Sequence, residues 1–108
     1  MATLTAQSVV PTGLNPTYSS AAGGGDEFAN TGEQVAHIKN GGAGAINVTF
    51  VTAATSGGLA IADQVINIPA SGERLCGPFN QNLYNDSNNR VQITYDGVDT
   101  VTIAIFKV

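Results

Sequence analysis

Charge is the first thing this chain lacks. Charged residues make up 11% of its 108 residues, against about 25% in an ordinary globular chain. Four are basic, Lys39, Arg74, Arg90 and Lys107, and they do not cluster; the net charge is -4. A nucleic-acid binder needs a basic stripe, so nucleic acid is excluded as a partner. Tryptophan is absent and Cys76 is the single cysteine. No intrachain disulfide framework exists, which fits synthesis in a reducing cytosol. No apolar run approaches the roughly 20 residues of a membrane span. The N-terminus, MATLTAQSVV, lacks the basic region and apolar core of a signal peptide. No membrane partner is expected. Helical periodicity is missing throughout.

Gly, Ala, Thr, Asn and Ser replace the missing charge. They make a neutral, polar surface, suited to packing against other protein. The chain length corresponds to a single domain over residues 1–108. Short runs of period-two alternation recur at roughly ten-residue spacing, separated by Gly, Pro and Asn turns. The runs are Thr3–Val10, Asp26–Asn30 with Phe28 inward, Glu33–Asn40 with Ala36 and Ile38 on one face, Ala45–Ala53, Asp63–Ile68 and Glu73–Phe79. Gly77-Pro78 must kink or end the last of these. Leu59–Ala62 is ambiguous, and Gln81–Asn89 reads as polar loop around Leu83 and Tyr84. The pattern predicts an all-β fold: one β-sandwich of seven to eight short antiparallel strands, jelly-roll-like, with an immunoglobulin-like sandwich or small barrel as alternatives.

The final stretch, Arg90–Val108, reads as a β-hairpin. Val91, Ile93 and Tyr95 alternate with Gln92 and Thr94, and Val101, Ile103 and Ile105 with Thr102 and Ala104. A three-residue loop, Tyr95-Asp96-Gly97, would pair Thr94 with Val98 and Val91 with Val101, with Gly97 left-handed. Ala104, Phe106 and Val108 make the other face apolar too. A strand apolar on both faces is either central or covered by another chain, so these three are candidate oligomer contacts.

Residues 1–30 include a Gly-rich arm or long loop, LNPTYSSAAGGG over residues 14–25. Loops longer than about 12 residues are usually functional or disordered. Leu14, Tyr18 and Phe28 are therefore candidate contacts with a partner, with Tyr18 and Phe28 as aromatic anchors. The alternative places Phe28 in the core and Tyr18 over one end of the sandwich.

The sequence contains no complete catalytic grouping. His37 and Cys76 form no recognised nucleophile–base signature. Asp86-Ser87-Asn88-Asn89 has oxygen ligands at alternate positions but lacks the central Gly and distal Glu of a calcium loop, and a self-capping turn accounts for it. Asp26 and Glu27 are adjacent on a strand and must diverge, which leaves them and Glu33 as solvated edge charges. Gly23-Gly24-Gly25 precedes no Lys-Ser or helix, so it reads as a hinge rather than a phosphate loop. No enzyme activity, cofactor or metal is expected.

Several ordered segments carry a resemblance across most of the chain. They are Thr12–Tyr18, Ala36–Gly42, Ile68–Arg74 leading to Gly77-Pro78-Phe79, and Leu83–Asp86 before the final strands. On these the chain resembles the small proteins encoded beside the major capsid protein in tailed-bacteriophage genomes, a family similar to head decoration, or cement, proteins. The resemblance implies a structural virion protein on the outer capsid surface. Its implied partner is the major capsid protein of the expanded shell, its implied state a homotrimer at three-fold positions, and its implied action the locking of neighbouring subunits. The competing expectation is a β-sandwich module for host-surface glycans or receptors. That function needs exposed aromatics, and only Tyr18, Tyr84 and Tyr95 are available as tyrosines.

Overall fold

The computed structural model describes residues 2–107. Twelve strands and one helical turn run in the order β1 (Ala2–Leu4), β2 (Ala6–Ser8), β3 (Ser19–Ser20), β4 (Asp26–Ala29), β5 (Gln34–Asn40), β6 (Ile46–Phe50), β7 (Thr55–Ser56), β8 (Leu59–Ala60), β9 (Gln64–Ile68), β10 (Glu73–Cys76), α1 (Gln81–Tyr84), β11 (Arg90–Tyr95) and β12 (Val101–Lys107). The first sheet has the order β1-β4-β11-β6-β9; the second has β10-β5-β12-β2, with β3 also on β12.

The pairing is nested. β6 pairs with β9, β5 with β10, β4 with β11 and β3 with β12, every pair antiparallel. Lateral pairs β11–β6 and β12–β5 are antiparallel as well. Eight antiparallel strands folded back on one hairpin and split alternately between two sheets make a jelly roll. The expected β-sandwich is present, in its jelly-roll form. β7 and β8 are a small hairpin inserted at the β6–β9 turn.

The N-terminal strands depart from the expectation of a purely antiparallel sandwich. Thr3–Val10 is not one strand. It breaks at Thr5, so that β1 runs parallel to β4 in the first sheet and β2 runs parallel to β12 in the second. Leu4 and Ala6 pack against the core from the two sides of that break. The segment thereby closes one flank of the sandwich.

The expected C-terminal hairpin is also corrected. β11 lies in the first sheet and β12 in the second. Their apolar rows face each other across the core instead of lying side by side, and alternation satisfies both arrangements equally. The connection is pinned at each end. Asp96 N–H donates to Asn47 O at 3.1 Å while Asn47 N–H donates to the Asp96 carboxylate at 2.8 Å. Gly41 N–H donates to Thr100 O at 2.9 Å. The left-handed residue is Thr100, at φ 58°, and not Gly97.

The core is aliphatic, with a ring cluster toward one end. Phe79 lies 4.7 Å from Phe50, 5.6 Å from Phe28 and 5.3 Å from Tyr84, centroid to centroid. Phe79 and Tyr84 are held by α1, a single turn within the stretch read as loop, whose Asn80 side chain accepts from Asn82 N–H at 2.9 Å. Phe28 is fully buried. It is a core residue and not a partner contact, because β4 aims it inward on the same side as Asp26.

Asp26 is fully buried too, which overturns its reading as a solvated charge. Tyr95 Oη donates to Asp26 Oδ2 at 2.7 Å, and Oδ1 has no partner. Burial, then this bond, raises the Tyr95 pKa far above its ordinary value. Gly25, just before Asp26, is no hinge: at φ 95° it packs so close to Ile93 that a Cβ would lie 2.5 Å from the carbonyl oxygen.

Replacing Phe28 with Ala should cost about 3–5 kcal/mol by removing the ring between the sheets. Equilibrium denaturation in urea measures it, and a loss under 1 kcal/mol would contradict the packing described.

An arm laid across one face of the sandwich

The two outer faces of the sandwich differ. On the first sheet, Glu27, Arg90 and Gln92 form a polar network: Arg90 pairs with Glu27, and the Gln92 amide bridges Glu27 at 3.0 Å and Asp86 at 2.8 Å. Asn67 donates to Asn47 at 2.9 Å on the same face. Hydrogen bonds, led by Gln92, hold the Glu27 carboxyl below its usual range. Burial pushes Asp86 up, but bonds from Gln92 and from the N–H groups of Arg90 and Asn88 outweigh it and leave its pKa lowered. The Asp86 oxygens are thus occupied by donors of its own loop, the arrangement of a self-capping turn.

The outer face of the second sheet is apolar around Val35, Leu75, Ala104 and Phe106, polar around His37, Lys39 and Glu73, and carries the arm. Residues 9–18 leave β2, cross this face and return to β3. Val9 N–H donates to Lys107 O at 3.0 Å. Gly13 N–H closes a turn on Val10 O at 3.0 Å, with Pro11 preset for it. The far end is tied by the Gln7 side chain, which donates to Thr17 O at 2.8 Å and accepts from Thr17 N–H at 2.9 Å.

Tyr18 is the main side-chain anchor. Its ring meets Phe106 edge-on at 6.2 Å and His37 at 5.6 Å, and Lys39 Nζ lies 4.2 Å above it. Its hydroxyl is 2.8 Å from His37 Nδ1, and His37 Nε2 is 3.2 Å from the Glu73 carboxylate. The carboxylate can only accept, so Nε2 donates to Glu73, and Tyr18 Oη and Nδ1 complete the chain of bonds. In the register Ala104 lies opposite His37 and Phe106 opposite Val35, which puts Tyr18 above Ala104.

This geometry sorts the candidate residues. Leu14, Tyr18 and Phe106 come together on one face; Phe28 lies in the core. Ala104 is 3% exposed beneath the arm, and Val108 lies outside the described residues. β12 is central, so the apolar second face that suggested an oligomer is covered over Ala104 and Phe106 by the chain's own Tyr18. His37 and Cys76 point to opposite faces of the second sheet, since Leu75 and not Cys76 is the partner of His37. Burial raises the Cys76 thiol, the reverse of what a nucleophile needs.

Between the arm and the sheet lies an open groove of about 390 Å³, with Val10, Leu14, Val35, Leu75 and Phe106 among its walls. Val9 is 53% and Leu75 68% exposed there. Sequence reading missed both. The visible signal was that Glu73 and Leu75 share a face, with nothing at that strand's edge to cover them.

Two outcomes follow. Tyr18→Phe should loosen the arm by roughly 0.5–1.5 kcal/mol, the worth of one hydrogen bond, read as faster amide exchange at Thr17 and Tyr18; unchanged exchange would refute the latch. Glu27 and Asp86 are depressed, so the stability they contribute is present above the ordinary carboxylate range and lost as pH falls through their folded values. The melting temperature should therefore drop below about pH 5, and Gln92→Ala should flatten that acid limb; an unaltered limb would exclude Gln92 as its source.

No protein family model matches the chain, and no curated protein or solved structure matches it either.

Proposed function

We propose that the protein is a structural virion component that binds the outside of an expanded tailed-phage capsid and ties neighbouring major capsid protein subunits together. The observation that supports it most is the asymmetry of the two outer faces. The second sheet offers an open apolar groove beside an anchored arm, and the first sheet offers neutral and paired polar groups suited to water. Single exposed apolar residues are ordinary, whereas a grouped apolar surface rimmed by polar residues marks an interaction site. Low charge lets such a face approach a large protein surface without strong repulsion. Leu14 lines the groove beside the latch made by Tyr18, and both belong to the contact. The homotrimer at three-fold positions is part of the same proposal and draws on the family resemblance. Jelly rolls serve capsids and lectins alike, so the fold does not choose between them. Glycan binding is less well supported, because the three tyrosines are engaged inside the chain: Tyr18 on Phe106, Tyr84 on Phe79 and Tyr95 on Asp26.

The test uses expanded shells that lack the protein. Adding it should raise the temperature and osmotic shock at which they rupture, since a ligand of the assembled state alone stabilises that state by mass action. Leu14→Ala should weaken shell binding by about 1–2 kcal/mol with little change in the melting temperature of the free protein. Identical rupture with and without the protein would end this reading.

A further inference from the structure

One flank of the sandwich is closed by β1, β2 and β3. The other is not: β9 ends the first sheet and β10 ends the second. The orientation of β10 follows from one bond. Asn40 N–H donates to Gly72 O at 2.8 Å, so Gly72 faces β5. Backbone groups alternate along an antiparallel strand. Arg74 and Cys76 therefore also face β5, and the N–H and C=O of Glu73 and Leu75 face outward. The Glu73 carbonyl is taken by Arg74 Nη1 at 2.7 Å. Among the described residues no backbone partner meets Leu75 on that outer side.

Two cavities flank this short edge. The groove under the arm, about 390 Å³, lies on its outer side. A second cavity of about 420 Å³ opens between β9 and β10 on the core side, lined by Phe50, Ile66, Cys76, Phe79 and Tyr84. Leu75 borders both. An unpaired edge with a pocket above it and a pocket below it has the period of a strand: consecutive side chains of an added strand would enter opposite pockets. Charge narrows the occupant further. Arg74 is the one formally charged side chain lining the core-side cavity, and among the described residues it forms no ion pair.

We propose that β10 accepts an extended peptide strand by β-addition, with an apolar residue beside Leu75 in the outer groove, an apolar residue beside Cys76 in the core-side cavity, and an acidic residue beside Arg74. The occupant is thus an acidic–apolar–apolar segment of another protein. This does not depend on the shell-binding reading: the two share the groove under the arm, but an empty β10 edge leaves the arm free to hold a shell.

The probe is a random seven-residue peptide library selected on the immobilised full chain, followed by titration of the enriched peptides. Enriched sequences should carry an acidic residue next to two consecutive apolar ones. Leu75→Pro removes the outward N–H together with the Leu75 side chain while the Arg74 and Cys76 bonds to β5 stay, and it should weaken the peptides at least about tenfold. Leu75→Lys keeps that N–H and puts a charge at the edge; it should weaken them as well, and it serves should the proline variant fail to fold. Arg74→Gln should erase the acidic preference and leave the apolar one. The Leu75 amide should exchange fast in the free protein and slowly with peptide bound. No enrichment over bare matrix overturns the proposal, and so does equal binding by the folded Leu75 variants. Protection of the Leu75 amide that rises with protein concentration alone overturns it too, because a second copy then fills the edge. None of these failures would alter shell rupture, so the two readings fail separately.

Discussion

The fold depends on how its connections cross. In the jelly roll every connection between successive strands from β3 to β12 passes from one sheet to the other, except β6 to β9. Each crossing takes backbone over an end of the sandwich, where N–H and C=O groups lose water and have no ladder to join. Buried amide side chains meet this demand. Asn30 donates to Phe79 O at 3.0 Å and to the Asn85 side chain at 2.8 Å, and Asn85 donates back to Asn30 O at 2.9 Å. Asn40 donates to Gly44 O at 2.8 Å and accepts from Gly42 N–H at 3.0 Å. Gln34 accepts from Thr31 N–H at 2.8 Å. An amide both donates and accepts without charge, so it can be buried at an end where a carboxylate would cost far more. This is the structural counterpart of a composition rich in Asn and poor in charge.

The same constraint makes the arm part of the fold. β12 is central and apolar on both faces, and its outer face must be covered by something. Tyr18 covers it with a single ring held by three different contacts: an edge-on aromatic pair, a cation over its face and a hydroxyl bond to His37. Each is modest alone, of order 1 kcal/mol or less. They converge on one side chain, so the arm has one anchor on the sheet, with Gln7 tying its end and Val9 its beginning. Between these ties Leu14 and Pro16 border the groove without a backbone ladder beneath them.

Period-two alternation was legible strand by strand. Ala36 and Ile38, Val48 and Phe50, and Val91 and Ile93 all face inward, as their spacing required. Partnership was not legible in the same pattern. Val91 and Val101 point at the same core whether their strands lie side by side or face to face, and only the contacts of Asp96 with Asn47 and of Gly41 with Thr100 decide it. Local propensity failed at Asp26 for a related reason: a carboxylate beside Glu27 looks solvent-bound until Tyr95, distant in sequence, arrives to donate to it. At Thr3–Val10 the loose alternation runs through Thr5 without a turn residue, so nothing local marks the break at which β1 joins one sheet and β2 the other. The groove combines Val9, Leu14, Leu75 and Phe106, residues no local window contains, so only the catalogue of arm and strand residues was available in advance.

The two flanks of the sandwich express one physical problem with two outcomes. A sheet that ends presents unpaired donors and acceptors, and long uncharged edges invite pairing. On one flank the chain answers this with its own N-terminus, adding β1 in parallel to β4 and β2 in parallel to β12, and seating Leu4 and Ala6 against the core. On the other flank the edge is only partly blunted. β10 is short, and its first carbonyl is capped by Arg74, but Leu75 keeps its outward backbone groups and exposes its side chain to 68%. Phe50, Phe79 and Tyr84 reach that opening from inside the core, so their rings line a cavity there. What the N-terminal strands supply to one side, backbone pairs together with apolar side chains at alternate positions, is what the geometry of β10 lacks on the other.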